Sequence, residues 1–261
     1  MSEHVLVSIA IVTYNATEYA RRCLESIHRL TRTPHEVLVV DNASKPDTRE
    51  YLGTVQGIRL TLNDENRLWC PALNQAFRMA SASSRYFMLL NPDIEIVRSD
   101  WLERLITIIE SHPRIGITGT QHNYRPIGPT FGAIDGHCFL MRRALYDDPA
   151  IGPLDERYPW NGSPYVLTAK AWAKGWIYKV HPPRPRILLH HEGRSRAEAS
   201  LPMPNRKIDA EGILREAGLQ PWRAARITNP FRRALIRWGK IPSACPASCT
   251  PRSSSRAAFR G

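Results

Sequence analysis

Three short apolar runs, each ending in a polar cluster, constrain this chain more than any other feature. They are Val7-Ser8-Ile9-Ala10-Ile11-Val12 into Thr13-Tyr14-Asn15, Val37-Leu38-Val39-Val40 into Asp41-Asn42-Ala43-Ser44, and Tyr86-Phe87-Met88-Leu89-Leu90 into Asn91-Pro92-Asp93. Runs this short and this apolar read as strands buried on both faces. Helical patterns separate them, so the strands are expected to be parallel neighbours in an α/β sheet. In such a sheet the ligand lies beyond the carboxyl ends of the strands. Asn15, Asp41 and Asp93 fall there. A mouth lined with carboxylates and amides suits a nucleotide together with a divalent cation.

The remaining pattern fills in around these strands. Ala20, Cys23, Leu24 and Ile27 recur at helical spacing, giving a helix from Ala16 to about Leu30 that Thr17 can cap. Ile58 to Leu62 reads as a further short strand. Pro71 suits the first turn of a helix carrying Leu73, Phe77 and Ala80 inward, with Asn74 near its start. Ser99 or Asp100 caps a helix with Trp101, Leu105, Ile108 and Ile109 on one face. Ile115–Gly119, His137–Met141, Ile177–Val180 and Ile187–Leu189 read as core strands. Residues 120–134 read as a loop, and Val166 to Lys174 as a helix stopped at Gly175.

Composition limits the class. The 261 residues suffice for one large domain or two small ones with a sizeable core. Hydrophobic residues are 43% and charged residues 23%, a globular composition. Net charge is +12, but residues 206–261 hold 12 Lys/Arg against 3 Asp/Glu, so the excess belongs to the tail. The five cysteines show only a Cys-x-x-x-Cys spacing at Cys245 and Cys249, which argues for reduced, buried thiols in a cytoplasmic protein. The first residues lack a basic n-region, and no apolar stretch approaches the ~20 residues that span a bilayer.

The polar clusters, taken in order, resemble those of family 2 glycosyltransferases, and most of all the rhamnosyltransferase-like members. The matching residues are Val12-Thr13-Tyr14-Asn15, Val40-Asp41-Asn42-Ala43-Ser44, Asn66 with Asn74, and Leu90-Asn91-Pro92-Asp93. They continue through Asp135-Gly136-His137-Cys138-Phe139-Leu140-Met141-Arg142-Arg143 to His190-His191-Glu192-Gly193-Arg194-Ser195. The resemblance covers roughly residues 5–196. It implies a GT-A fold, a nucleotide-diphosphate sugar donor, and Mn²⁺ or Mg²⁺ as cofactor.

On that resemblance Asp41 reads a ring N–H of uracil or thymine, since a carboxylate only accepts. Tyr14 stacks on the base, and Thr13 or Asn15 meets the ribose. Asn42, Asn66, Asn74 and Asn91 complete the nucleotide side. Asp93 fills the last position of the family's Asp-x-Asp metal motif, Asn91 the first, and His190 or His191 matches its late histidine. Asp41-Asn42-Ala43-Ser44 also reads as a turn with a helix cap.

One motif departs from the family. An inverting transferase needs a base to take the acceptor's proton. The family's Glu-Asp pair, counted back from Gly175-Trp176, falls on Ser163-Pro164, and neither serves as a base near neutral pH. Asp155, Glu156 and Asp135 are the candidate substitutes. Two alternatives stand beside them: a shifted register, since Tyr158-Pro159-Trp160-Asn161-Gly162 reads as locally remodelled, and a donor-binding partner without transfer.

The expected architecture is one GT-A-like domain over 1–205, mostly parallel in its sheet, with nucleotide and metal in 1–95 and the acceptor side in 96–205. A basic helical extension follows over 206–241, then a disordered tail over 242–261. Phe231, Leu235 and Trp238, with Arg232, Arg233 and Arg237 around them, give a helix that either packs on the core or lies on an anionic membrane surface. The expected function is metal-dependent transfer of a hexose or deoxyhexose from a UDP- or dTDP-sugar to a glycan or lipid-linked acceptor. No nucleic-acid motif accompanies the basic charge, so nucleic acid is not an expected partner.

Overall fold

The computed structural model describes residues 5–123, 133–160, 162–192, 194–195 and 209–218. Its centre is a seven-stranded sheet built from β1 (Val7–Thr13), β2 (His35–Asp41), β3 (Ile58–Leu62), β4 (Tyr86–Leu90), β6 (Ile115–Gly119), β9 (Cys138–Arg142) and β10 (Ile177–Val180). The strand order is β10-β6-β9-β4-β1-β2-β3. All neighbours are parallel except β9, which runs antiparallel to both β4 and β6. The mostly parallel α/β sheet expected of a GT-A fold is therefore present.

Both faces are covered, as parallel sheets require. The period-two alternation of β1 divides its residues between two cores. Ile9 and Ile11 join α1 (Thr17–Leu30) and α4 (Trp101–Glu110) through Leu24, Ile27, Trp101 and Leu105. Ala10 and Val12 join α3 (Trp69–Arg78) and α6 (Ser163–Ala173) through Leu73, Phe77, Tyr165 and Trp172. Chain order reverses at β1, which has β2 on one side and β4 on the other. That switch point opens a crevice at the carboxyl ends of β1, β2 and β4.

Several elements differ from expectation. Helix α2 (Pro46–Thr54) was not anticipated, because it buries only Thr48 and Leu52 and so leaves little periodic signal. Helix α6 starts at Ser163, not Val166. Nine of its eleven residues are buried, which erases the apolar stripe by which its start is recognised. Ile187–Leu189 does not enter the main sheet. Instead β11 (Leu188–His190) pairs antiparallel with β5 (Ile94–Ile96), placing His190 opposite Ile94. The expected loop carries a small pair, β7 (His122–Asn123) with β8 (Ala133–Ile134).

Neither expected cap forms. The Thr17 hydroxyl meets Thr48 of α2 at 2.6 Å. The Asp100 carboxylate takes Arg98 and Arg104. Short helix α5 (Arg143–Asp147) follows β9. Helix α7 (Ala210–Glu216), capped by Asp209, buries Ile213 and Leu214 on the α6 side of the sheet. The helix expected near 230–239 and the tail 242–261 lie outside the described residues.

Candidate functional site

The loops leaving β1 and β2 are tied to each other. Asp41, fully buried, accepts the Thr13 hydroxyl at 3.2 Å and the Ser44 backbone N–H at 3.0 Å, and the Ser44 hydroxyl also bonds it. Arg49 stands 3.9 Å away. The Ser44 hydroxyl accepts from Asn15 N at 2.9 Å, and Asn15 Oδ1 accepts from Lys45 N at 2.7 Å. Both Asp41 oxygens thus serve the protein, and solvent does not reach them. The geometry gives Asp41 a turn-forming role within the protein.

An amide ladder continues this floor. Asn63 donates to Asn42 Oδ1 at 3.0 Å and exchanges bonds with Gln75 at 2.9 and 3.0 Å. Asn42 donates to Leu68 O, and Asn66 Oδ1 accepts from Leu68 N. Sequence reasoning gave no role to Asn63, in the polar stretch after β3, or to Gln75 of α3.

Asn74 is corrected. Its Nδ2 donates to Leu154 O and Glu156 Oε1, and its Oδ1 accepts from Leu154 N and the Tyr146 hydroxyl. An amide has two donors and two acceptor lone pairs, so none remains for a nucleotide. Asn74 clamps the loop after residue 153.

The end of β4 is different in kind. Asp93 is 1% exposed, with its Oδ2 3.7 Å from His190 Nε2. That separation is too long for a hydrogen bond. It is near the ~3 Å between adjacent ligands of one small octahedral cation. Asn91 Oδ1, also buried, has no hydrogen-bond partner among the described residues. Backbone pairing at the β11 end sends successive side chains to opposite sides. His190 therefore faces Asp93, while His191 meets Glu95 at 3.4 Å and the Tyr19 ring at 5.5 Å. Of the two histidines, His190 is the one beside Asp93.

His190 is stacked on His137, with ring centroids 4.3 Å apart and planes 11° from parallel. His137 Nδ1 lies 2.9 Å from Asp135 Oδ1 and its Nε2 3.0 Å from the Thr120 hydroxyl. Burial, then the charge of His137, pushes His190 below the ordinary histidine range, against the pull of Asp93 and Asp135. Its neutral, metal-binding form is thereby favoured. Burial raises Asp135, but the bond and charge of His137 outweigh it and hold Asp135 low. His137 was within a quoted motif but carried no expected role.

The candidate bases separate by their partners. Asp155 is gripped by Arg157, whose guanidinium bonds both carboxylate oxygens at 2.6 to 3.1 Å and holds it below the usual range. Glu156 is exposed and accepts from Asn74. Asp135, paired with His137, is the one of the three tied to the Asp93–His190 group. Ser163 and Pro164 are buried at the start of α6, beside the Cys70 thiol, which burial pushes up to about 12. Cys138 is likewise pushed up to about 12, so these thiols are inert.

Four non-glycine residues have left-handed backbone among those described: Asn15, Ala43, Leu68 and Glu192. All lie in loops bordering this mouth, where stored strain tends to collect. No group of three or more His, Cys, Asp or Glu able to hold an ion alone occurs among the described residues. Asp93 and His190 fit a cation whose other ligands come from a bound phosphate, the usual arrangement for Mg²⁺.

The comparisons agree with this geometry. Residues 8–131 match the model of Glycosyl transferase family 2. The O-antigen biosynthesis protein RfbC of Myxococcus xanthus is 27% identical over 255 residues, covering 83% of this chain and 19% of that protein. An uncharacterized glycosyltransferase of Haemophilus influenzae is 26% identical over 119 residues, covering 44% and 36%. The chain thus spans well under half the length of either relative. Among solved structures, the mannosyltransferase PcManGT of Pyrobaculum calidifontis, in complex with GDP-Man and Mn²⁺, superposes with TM-score 0.50 at 20% identity over 92% of this chain and 80% of that one. Residues 1–349 of TarS from S. aureus superpose with TM-score 0.57 at 17% identity, over 87% and 74%. Residues 8–131 are thus similar to Glycosyl transferase family 2, and the chain shares the fold of these solved structures, with an Asp–His pair at the end of β4 where its strand order reverses.

Proposed function

We propose that this domain transfers a hexose or deoxyhexose from a UDP- or dTDP-sugar to a glycan or lipid-linked acceptor, with inversion and with the help of Mn²⁺ or Mg²⁺. The observation that carries the reading is the Asp93–His190 pair, 3.7 Å apart at the end of β4, with the buried Asn91 Oδ1 close by in sequence. Asp93 and His190 would hold the cation, which supplies charge that stabilises the departing nucleotide diphosphate. The amide-lined floor of Asn15, Asn42 and Asn66, with Tyr14 half-buried at its edge, suits a nucleoside. The neighbours' own ligands support a sugar nucleotide: GDP-Man with Mn²⁺ in one, UDP and UDP-GlcNAc in TarS. The name of the Myxococcus relative supports a cell-surface glycan as product. Among the described residues no helix is long and apolar enough to cross a membrane. A lipid-linked acceptor would be met at the surface, where the basic tail offers peripheral contact.

A second reading, donor binding without transfer, is favoured by one observation. The slot expected to hold the base carries Ser163 and Pro164, both buried. Calorimetric titration with UDP, dTDP and GDP, each with Mn²⁺ and again with EDTA, tests the donor site. Metal-dependent binding of UDP or dTDP is expected, and silence towards all three removes the assignment. Turnover of the corresponding donor then separates transferase from binder.

A further inference from the structure

The inference rests on the donor-site reading above and concerns His137. This ring is 3% exposed, and both its nitrogens are engaged. Nδ1 donates to the Asp135 carboxylate, which can only accept, and Nε2 is paired with the Thr120 hydroxyl. Neither nitrogen has a lone pair to offer a cation. What His137 offers is its flat face, on which the His190 ring lies nearly parallel at 4.3 Å.

The main chain of His190 is fixed independently by β11 pairing with β5, opposite Ile94. Only the side-chain torsions remain, and a ring clamped at both nitrogens restricts them. His190 Nε2 is then held towards Asp93 Oδ2. The same residue secures the other side of the pair, because the His137 carbonyl accepts the Asn91 backbone N–H at 3.0 Å and so anchors the turn that carries Asp93. We infer that His137 is a positioning residue for the cation: it sets His190 and the Asn91–Asp93 turn in register without touching the ion. Outer partners that orient ligating histidines act in this way.

The test measures Mn²⁺ affinity of the full-length protein at saturating UDP, from the electron paramagnetic resonance of free and bound Mn²⁺. His137→Ala is expected to weaken Mn²⁺ binding about 10-fold and to change the bound spectrum, with UDP affinity in EDTA unchanged. His137→Phe keeps a flat face and is expected to retain affinity within about threefold. In a His190→Ala background, His137→Ala is expected to cost no more than about threefold, the mark of two residues acting as one. Wild-type affinity in His137→Ala, or the same 10-fold loss with and without His190, would overturn the inference. If the unmodified protein shows no UDP-dependent Mn²⁺ binding, the donor-site reading itself falls, and all variants are then silent alike.

Discussion

At the residue scale, chemistry at the mouth of the sheet depends on which polar groups the protein has already used. Asp93 and Asn74 mark the two extremes. Asp93 is buried beside an imidazole at a separation suited to a shared ion, so Asp93→Ala is expected to weaken Mn²⁺-dependent UDP binding at least about 100-fold, read by calorimetry, while EDTA-insensitive binding stays as it was. Asn74 makes four bonds within the protein. Asn74→Ala leaves Leu154 and Tyr146 groups without partners and is expected to cost about 3 kcal/mol, seen as a lower denaturation midpoint.

His181 gives a pH effect at the same scale. It is 4% exposed, and burial, helped by the charge of Arg104 and opposed by Asp100, lowers its pKa. The unfolded chain, with an ordinary value near ~6.5, then binds more protons than the folded one as pH falls. The stabilisation is present above that pH and is lost below it. Denaturant midpoints at pH 7.5 and 5.5 are expected to show lower stability at 5.5, and equal midpoints would refute this.

At the element scale, strands carried strong signals and short or fully buried elements weak ones. β1, β2 and β4 stood out because parallel strands covered on both faces read as unbroken apolar runs. α1 and α4 showed their inward stripes, and Trp101 of α4 is fully buried against the β1 face. Trp101→Ala is expected to cost about 3–5 kcal/mol, measurable as a fall in thermal midpoint. α2 and the start of α6 were missed for opposite reasons, too little burial in one and burial all round in the other. Close approach also shapes elements. A side chain at Gly119 would have its Cβ 2.2 Å from the Cys138 carbonyl oxygen, so only glycine lets β6 and β9 pair there. The Arg157 bridge to Asp155 and to Glu216 joins a candidate-base loop to α7, a link between residues 59 apart that no local pattern announces.

At the scale of the whole molecule, charge and fold are separate. Most of the net charge of +12 sits in residues 206–261, beyond the stretch of sequence that carries the strand-end polar clusters. If the tail meets anionic membranes, deleting residues 222–261 is expected to abolish sedimentation with phosphatidylglycerol vesicles while leaving UDP binding intact. Undiminished sedimentation would assign the contact elsewhere.

By itself the sequence determined the mostly parallel α/β sheet, the burial of Cys23, Cys70 and Cys138, and the order of the polar clusters at the strand ends, because these follow from local periodicity and from residues at strand ends. Only the tertiary structure decided which groups are spent on the fold. It committed Asp41 to a turn and Asn74 to a clamp, turned β9 antiparallel, and moved β11 out of the main sheet. It also set His190, not His191, beside Asp93 and stacked it on His137. The physical reason is that hydrogen-bond saturation, ring stacking and the side of a strand on which a residue falls depend on partners tens of residues away, and nothing in the local sequence encodes those partners.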